Sequence, residues 1–220
     1  MTIFKDRRDA GRKLAEKLAS YRGSDAIVVA LPRGGVVVGH EIACDLSLPL
    51  DIIAVRKVRH PASPEYAIGA VDEYGTHIIN KEEATQVDEA WLQREIESET
   101  KEARRRSLLY RKGLDILDLA GRIVIVVDDG IATGYTMEAA LMAIRKHWPR
   151  KIIVAVPVAP PDIARRLIGE VDKFVTLADP NEFRGAVGSH YRVFEQIDDD
   201  EVVGLLHSSS LLEMGVFASA

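Results

Sequence analysis

The segment VIVVDDGIATGYTM, Val124 to Met137, sets two adjacent carboxylates, Asp128 and Asp129, between an apolar run and a turn of small residues that opens a helix. Gly130, Ile131, Ala132, Thr133, Gly134, Tyr135 and Thr136 make up that turn. A glycine-bearing turn at a helix N-terminus presents amides without intrahelical partners and the positive end of the helix dipole, which suits a phosphate dianion. Thr133 and Thr136 add hydroxyl donors, and Gly134 lets the backbone approach with no side chain in the way. Two carboxylates beside such a site repel its anion unless a neutral polyol lies between. The vicinal hydroxyls of a sugar phosphate donate to carboxylates, and a ribose 5-phosphate has that spacing of charge. The same residues also make an ordinary Asp-Gly turn with threonines capping the next helix.

Three further segments carry chemical side chains. In LPRGG, Leu31 to Gly35, Arg33 can grip diphosphate oxygens as a fork and the amides of Gly34 and Gly35 can cradle an anion; a tight turn with a solvated arginine is the plainer alternative. Its glycine spacing is not that of a dinucleotide fingerprint. RKVRHPASPEY, Arg56 to Tyr66, concentrates Arg56, Lys57 and His60 among prolines, as an anion-closing loop or as a solvated basic one. FRGAVGSHYRVFEQIDDDEV follows neither helical nor strand periodicity; its His190, Tyr191 and Phe194 either line an acceptor site or pack. A metal-dependent phosphatase would need more ligands near Asp128 and Asp129 than the neighbouring sequence offers.

Placing these residues takes alternating strands and helices. An amphipathic helix is expected over Asp6–Ser20, and strands over Ala26–Leu31, Asp51–Val55, Arg122–Val127, Lys151–Val158 and Lys173–Leu177. Helices are expected at Val36–Leu46, Thr136–Lys146 and Asp162–Gly169. Arg56–Pro64 is expected as loop, and Tyr66–Val71 with Thr76–Ile79 as a hairpin around Asp72–Gly75. From Lys81 to about Lys112 the absence of Gly and Pro predicts one long, solvated helix with a narrow apolar stripe. Such alternation predicts an α/β fold, a parallel-sheet core with helices on both faces and ligands beyond the carboxyl ends of the strands. Residues 1–220 read as a single domain whose low-charge end, 208–220, frays or packs on a partner.

Composition narrows the function. With 47% hydrophobic and 29% charged residues, the 220-residue chain has the material of a globular core. A net charge of −5 disfavours nucleic-acid binding, and Cys44, the sole cysteine, excludes an intrachain disulfide and fits a reducing cytoplasm. No apolar run is long enough to span a bilayer, so no membrane association is expected.

Val124 to Met137 resembles the phosphoribosyl diphosphate signature of type I phosphoribosyltransferases: a strand, an acidic pair and a phosphate loop ending in Thr-Gly-x-Thr. The layout of residues 8–200 and the FRGAVGSHY stretch are similar to a bacterial subgroup with no assigned acceptor. The resemblance implies a C-terminal hood and an enzyme that moves the 5-phosphoribosyl group of phosphoribosyl diphosphate to a nitrogenous acceptor, a nucleobase or related compound, releasing diphosphate. It implies that Asp128 and Asp129 contact the ribose hydroxyls and that Ile131 to Thr136 bind the 5-phosphate. By the same resemblance, Arg33 and Gly34 meet the diphosphate, Arg56 and Lys57 close over it, and magnesium bridges diphosphate and ribose oxygens. Tyr135 stands where members often carry glycine, and Ala132 where 6-oxopurine enzymes carry aspartate, which weakens a purine-salvage role. A regulatory protein that senses phosphoribosyl diphosphate or a nucleotide without turnover is the alternative. The long helix suits either covering the sheet or pairing with a second chain, and a homodimer is expected.

Overall fold

The structure, a computed structural model, describes residues 3–213. In chain order its elements are α1 (Arg7–Lys17), β1 (Ala26–Ala30), α2 (Gly34–Leu46), β2 (Leu50–Ile52), β3 (Val55–His60), β4 (Ser63–Asp72), β5 (His77–Ile79), α3 (Lys81–Ala84), α4 (Glu89–Arg111), β6 (Ile123–Val127), α5 (Tyr135–Arg145), β7 (Lys151–Val156), α6 (Pro161–Ile168), β8 (Lys173–Thr176) and α7 (Asp199–Glu213). The Val- and Ile-rich runs form a five-stranded parallel sheet in the order β2-β1-β6-β7-β8. Their apolar character is nearly continuous because helices cover both faces. Val28, Ile125 and Ile153 pack under α1, α2 and α7 through Leu14, Ile42 and Leu206. Val29, Val126 and Val154 pack on the other face under α5 and α6 through Leu141, Ile144 and Leu167.

A second, antiparallel sheet, β3-β4-β5, stands beside this core with α4 across it. The basic segment expected as loop is instead paired: Val55 faces Asp72, Lys57 faces Ala70 and Val58 faces Gly69, with an irregularity in register between Val58 and His60. Val58 explains the strand. It is fully buried with Ile68, Val71 and Ile96, so one apolar residue among four bases anchors the ribbon. The expected strand Asp51–Val55 is divided between the two sheets, and Ile53–Ala54 is the crossing. The expected β4–β5 hairpin is present, its turn closed by Asp72 Oδ1, which accepts from Tyr74 N at 2.8 Å and Thr76 N at 2.7 Å.

The long helix expected over Lys81–Lys112 is broken in two. Asn80 caps α3, and Asp88 Oδ1 accepts from Trp91 N at 2.7 Å to start α4 anew. Both are strong N-cap types, and they outweigh the absence of Gly and Pro. The first part of the expected tail, Ser208–Glu213, extends α7, and the hydroxyls of Ser208, Ser209 and Ser210 donate to carbonyls of the preceding turn. Residues 214–220 of the expected tail lie outside the described residues. No described helix is long and apolar enough to cross a membrane.

One buried ion cluster joins the two sheets. Arg111, at the end of α4, donates from Nε to Asp51 Oδ1 at 2.9 Å, from Nη1 to Glu73 Oε1 at 3.0 Å and from Nη2 to the Ile52 carbonyl at 2.7 Å. The other carboxylate oxygens accept amides: Asp51 Oδ2 from Leu117, and Glu73 Oε2 from Ala54 at the crossing. All three side chains are less than a tenth exposed. Replacing Arg111 with Met therefore leaves two buried carboxylates without their cation. We expect a loss of about 3–5 kcal/mol in denaturant unfolding, the range for a broken buried pair. A loss below about 1 kcal/mol would mean that water reaches the cluster freely.

Candidate functional site

The carboxyl ends of β1 and β6 open into a cavity of about 380 Å³. Its wall contains Arg33, Gly34, Arg56, Lys57, Asp128, Asp129, Gly130, Ile131, Ala132, Thr133, Gly134 and Thr136, so twelve of the thirteen residues expected to bind or act on phosphoribosyl diphosphate meet there. Tyr135 is the exception. Its hydroxyl lies 3.5 Å from Asn80 Nδ2, between α5 and the start of α3, and its side chain is not part of the cavity wall.

The turn before α5 carries a run of unengaged amides. Gly134 sits at φ +85°, where a side chain is strained, and immediately precedes the first helical residue. Among the described residues the amides of Ala132 to Thr136 donate to no backbone or side-chain acceptor. Ile131 differs: its N–H donates to the Val158 carbonyl at 2.9 Å, so of the segment expected to bind phosphate, Ile131 to Thr136, its first amide is already engaged. That bond anchors the loop to the end of β7 and leaves the next five donors at the positive end of the helix.

The acidic pair is held from three sides. Asp128 Oδ1 accepts from the Asp129 amide at 2.8 Å. Asp129 Oδ2 accepts from Arg7 Nε at 2.7 Å, and the Tyr191 hydroxyl donates to the Asp129 carbonyl at 2.6 Å. Arg7 is itself fixed, donating from Nη1 to the Glu195 carbonyl at 2.7 Å with its guanidinium 3.8 Å from the Phe194 ring centre. Gly34 is where these groups come closest. A Cβ there would overlap the Asp129 carboxylate and approach Arg7 Nε to 2.8 Å, and one at Gly35 would lie 2.9 Å from the Val127 carbonyl oxygen. The glycine pair thus lets α2 start against the acids, while the Pro32–Arg33 peptide before it is cis.

The same cavity wall carries five cations, Arg33, Arg56, Lys57, Arg59 and Arg106. Arg56 Nε donates to Glu99 Oε2 at 2.6 Å, with Arg59 Nη1 3.9 Å from the same carboxylate. Arg106 Nε donates to Glu102 at 2.8 Å, and Arg33 Nη1 lies 3.8 Å from Asp199, which also accepts from the Tyr110 hydroxyl. Lys57 is exposed at the cavity wall. Sequence reasoning misses Arg59, Arg106 and Arg7. Arg59 lies within the basic run Arg56 to Tyr66, but Arg106 is hidden in the charged stripe of α4. Arg7 reads as a polar residue of an amphipathic helix, and nothing local links it to a residue 122 positions away.

The C-terminal segment supplies Val187 to the cavity wall and Tyr191 to the acids. From Phe183 to Asp198 it has one 3-10 turn and no strand, in line with the expected lack of regular periodicity, but its last four residues, Asp199 to Val202, are helical and open α7. His190 is packed, 1% exposed, accepting from the Arg184 amide at 3.1 Å and stacked on Phe183. His60 does not line the cavity; its Nδ1 accepts from the Ala62 amide at 3.2 Å in the β3–β4 turn.

Burial, and then the charge of Asp129, raises the Asp128 carboxyl well above its ordinary range; burial also raises Asp129, against the opposing pull of Arg7. A raised pKa in the fold means that ionisation of Asp128 costs stability above that value, a cost that vanishes below the ordinary carboxylate range. Asp128→Asn keeps the acceptor for the Asp129 amide and removes the charge. It should raise the thermal midpoint at pH 8 by about 3 °C, at roughly 2–4 °C per kcal/mol for a chain of this size. The gain should shrink as the pH falls toward about 4, and a midpoint that drops at pH 8 would show that the carboxylate stabilises the fold.

A profile of the phosphoribosyl transferase domain matches residues 3–202. Two Mycobacterium tuberculosis proteins, from strains CDC 1551 and H37Rv and provisionally named phosphoribosyl transferases, are 45% identical over 208 residues, which is 94% of this chain and 47% of theirs. The chain thus spans about half the length of these curated relatives. A uracil phosphoribosyltransferase of Aquifex aeolicus is 38% identical over 65 residues, covering 28% of this chain and 31% of its own. The crystal structure of TT1426 from Thermus thermophilus superposes with a TM-score of 0.79 at 41% identity, covering 94% of this chain and 98% of that one. With the strand, acidic pair and phosphate loop assembled at one cavity and the matched profile running over most of its length, the chain belongs to the type I phosphoribosyltransferase family.

Proposed function

We propose that the protein binds phosphoribosyl diphosphate across this cavity and transfers its 5-phosphoribosyl group to a nitrogenous acceptor, a nucleobase or related compound, with release of diphosphate. The observation that carries this is the meeting of an unengaged amide cradle, a carboxylate pair and five cations in one cavity. In this arrangement the amides of Ala132 to Thr136 and the hydroxyls of Thr133 and Thr136 seat the 5-phosphate. Asp128 and Asp129 accept from the ribose hydroxyls, and Arg33, Lys57 and the Gly34 amide receive the diphosphate.

The bond between the anomeric carbon and the diphosphate oxygen breaks with its electron pair leaving on diphosphate. The acceptor nitrogen supplies a lone pair to the new C–N bond, and its proton passes to water. Cations preorganised around the departing charge lower the barrier without a protein nucleophile. Asp128 and Asp129 are the carboxylates that could contribute to holding a magnesium ion, and among the described residues no cluster of three metal-ligating side chains is present, which fits an ion held mainly by ligand oxygens. Bound with the diphosphate, magnesium supplies further neutralisation of the leaving group.

Titration calorimetry with phosphoribosyl diphosphate, with and without magnesium, tests the assignment. We expect magnesium-dependent binding by the wild type and an affinity at least about tenfold weaker for Asp128→Asn, since a hydrogen bond to a charged group contributes roughly 1.5–3 kcal/mol. The Asp128→Asn, Asp129→Asn double variant should lose it. No binding by the folded wild type would overturn the reading, and binding without diphosphate release for any acceptor would leave a sensor of the same ligand.

A further inference from the structure

Arg7 lies on a helix that sequence assigns to packing, yet its side chain reaches the centre of the site. It is 10% exposed, Asp129 is 16% exposed, and their 2.7 Å contact joins residues at the amino-terminal end of α1 and the carboxyl end of β6. A surface ion pair needs none of the surrounding support. Here the guanidinium is bound by the Glu195 carbonyl, laid over Phe194, and given room by the missing side chain at Gly34. Phe194 stacks on Tyr191, whose hydroxyl holds the Asp129 main chain. The backbone of the amino-terminal arm is tied to the same segment: Phe4 N–H donates to the His190 carbonyl at 2.8 Å and Arg192 N–H to the Phe4 carbonyl at 2.9 Å. The amino-terminal arm and the C-terminal segment therefore converge on one carboxylate.

We propose that Arg7 is the positioning residue of the ribosyl subsite: by holding Asp129 Oδ2 in a fixed direction it presents the other carboxylate oxygen to a ribose hydroxyl. The proposal rests on the ribosyl reading of the cavity. The charged and titratable groups around Asp129 are Asp128 beside it, Arg7 and Asp6 from the start of α1, Arg33 at the start of α2 and Tyr191 from the C-terminal segment. The charge of Asp129 adds to burial in raising the Asp128 carboxyl, and Arg7 is the group that hydrogen-bonds the Asp129 carboxylate and favours its ionised form. Without that cation the pair favours the protonated state, and a protonated Asp129 is a poorer acceptor for a hydroxyl.

The test is calorimetry of ribose 5-phosphate, which probes the subsite without diphosphate or magnesium, at about pH 6 and pH 8. Arg7→Met keeps the stem over Phe194 and removes the charge. Its affinity should fall about tenfold or more, by more at the lower pH because Arg7 is the group that favours the ionised Asp129 carboxylate, and Arg7→Lys should recover most of the loss. In an Asp129→Asn background, Arg7→Met should cost no further affinity. If Arg7→Met does not fold, Arg7→Gln, which keeps a donor without the charge, carries the same expectation. Wild-type affinity in a folded variant at both pH values, or an equal loss in the Asp129→Asn background, overturns the proposal alone. No binding by the wild type overturns the ribosyl reading and the proposal with it.

Discussion

Two carboxylates side by side at the end of a buried central strand repel each other, and much of the molecule is arranged around that repulsion. Asp128 and Asp129 follow Val127 directly, so β6 cannot shift its register without moving them. Neighbouring amides, one arginine and the tyrosine hydroxyl hold them in place. The glycine pair at the start of α2 is a consequence: any side chain at Gly34 would displace the acid or its cation. Sites that hold charge in this way give up folding stability for binding.

The second sheet and α4 carry the opposite charge, and their attachment decides whether the cavity has a wall. The chain leaves β2 for β3 across Ile53 and Ala54, and Arg111 fastens the crossing through Asp51 and Glu73 while its helix supplies Arg106 to the cavity. A cation from α4 therefore sits over the strand ends because a buried ion cluster at the end of the same helix fixes its direction. The ion cluster acts as a joint between layers, a role that a hydrophobic contact of equal area fills with less directional control.

What the sequence discloses is local. Val124 to Met137 is legible because strand, acids, turn and helix are contiguous, and each part has its own periodicity or turn chemistry. Arg33 and Gly34 follow from the same strand-to-turn pattern after β1. The basic stretch after β2 reads as loop because three charged residues, a histidine and two prolines outweigh Val58, whose burial under α4 is a tertiary fact. The break at Asp88 is legible in principle, since an aspartate three residues before Trp91 is an N-cap pattern inside a helix-favouring run. Arg7 is not legible at all. Its significance depends on an encounter between the first helix, the end of β6 and the segment around Phe194, which no single window contains.

The cavity is also balanced by charges of its own. Arg56 has Glu99, Arg106 has Glu102, Arg33 has Asp199 and Arg7 has Asp129. A chain of net charge −5 can thus present five cations to one cavity without a broad basic surface. A polyphosphate bound as proposed would meet cations already oriented by carboxylates, so reorganisation would be small, but it would have to compete with those carboxylates for each one. Exposed Lys57 faces less of that competition than Arg56, whose guanidinium is held at 2.6 Å. Affinity for an anion in such a site is set by the difference between ligand and resident acid, which favours multivalent anions that engage several cations together over a single phosphate.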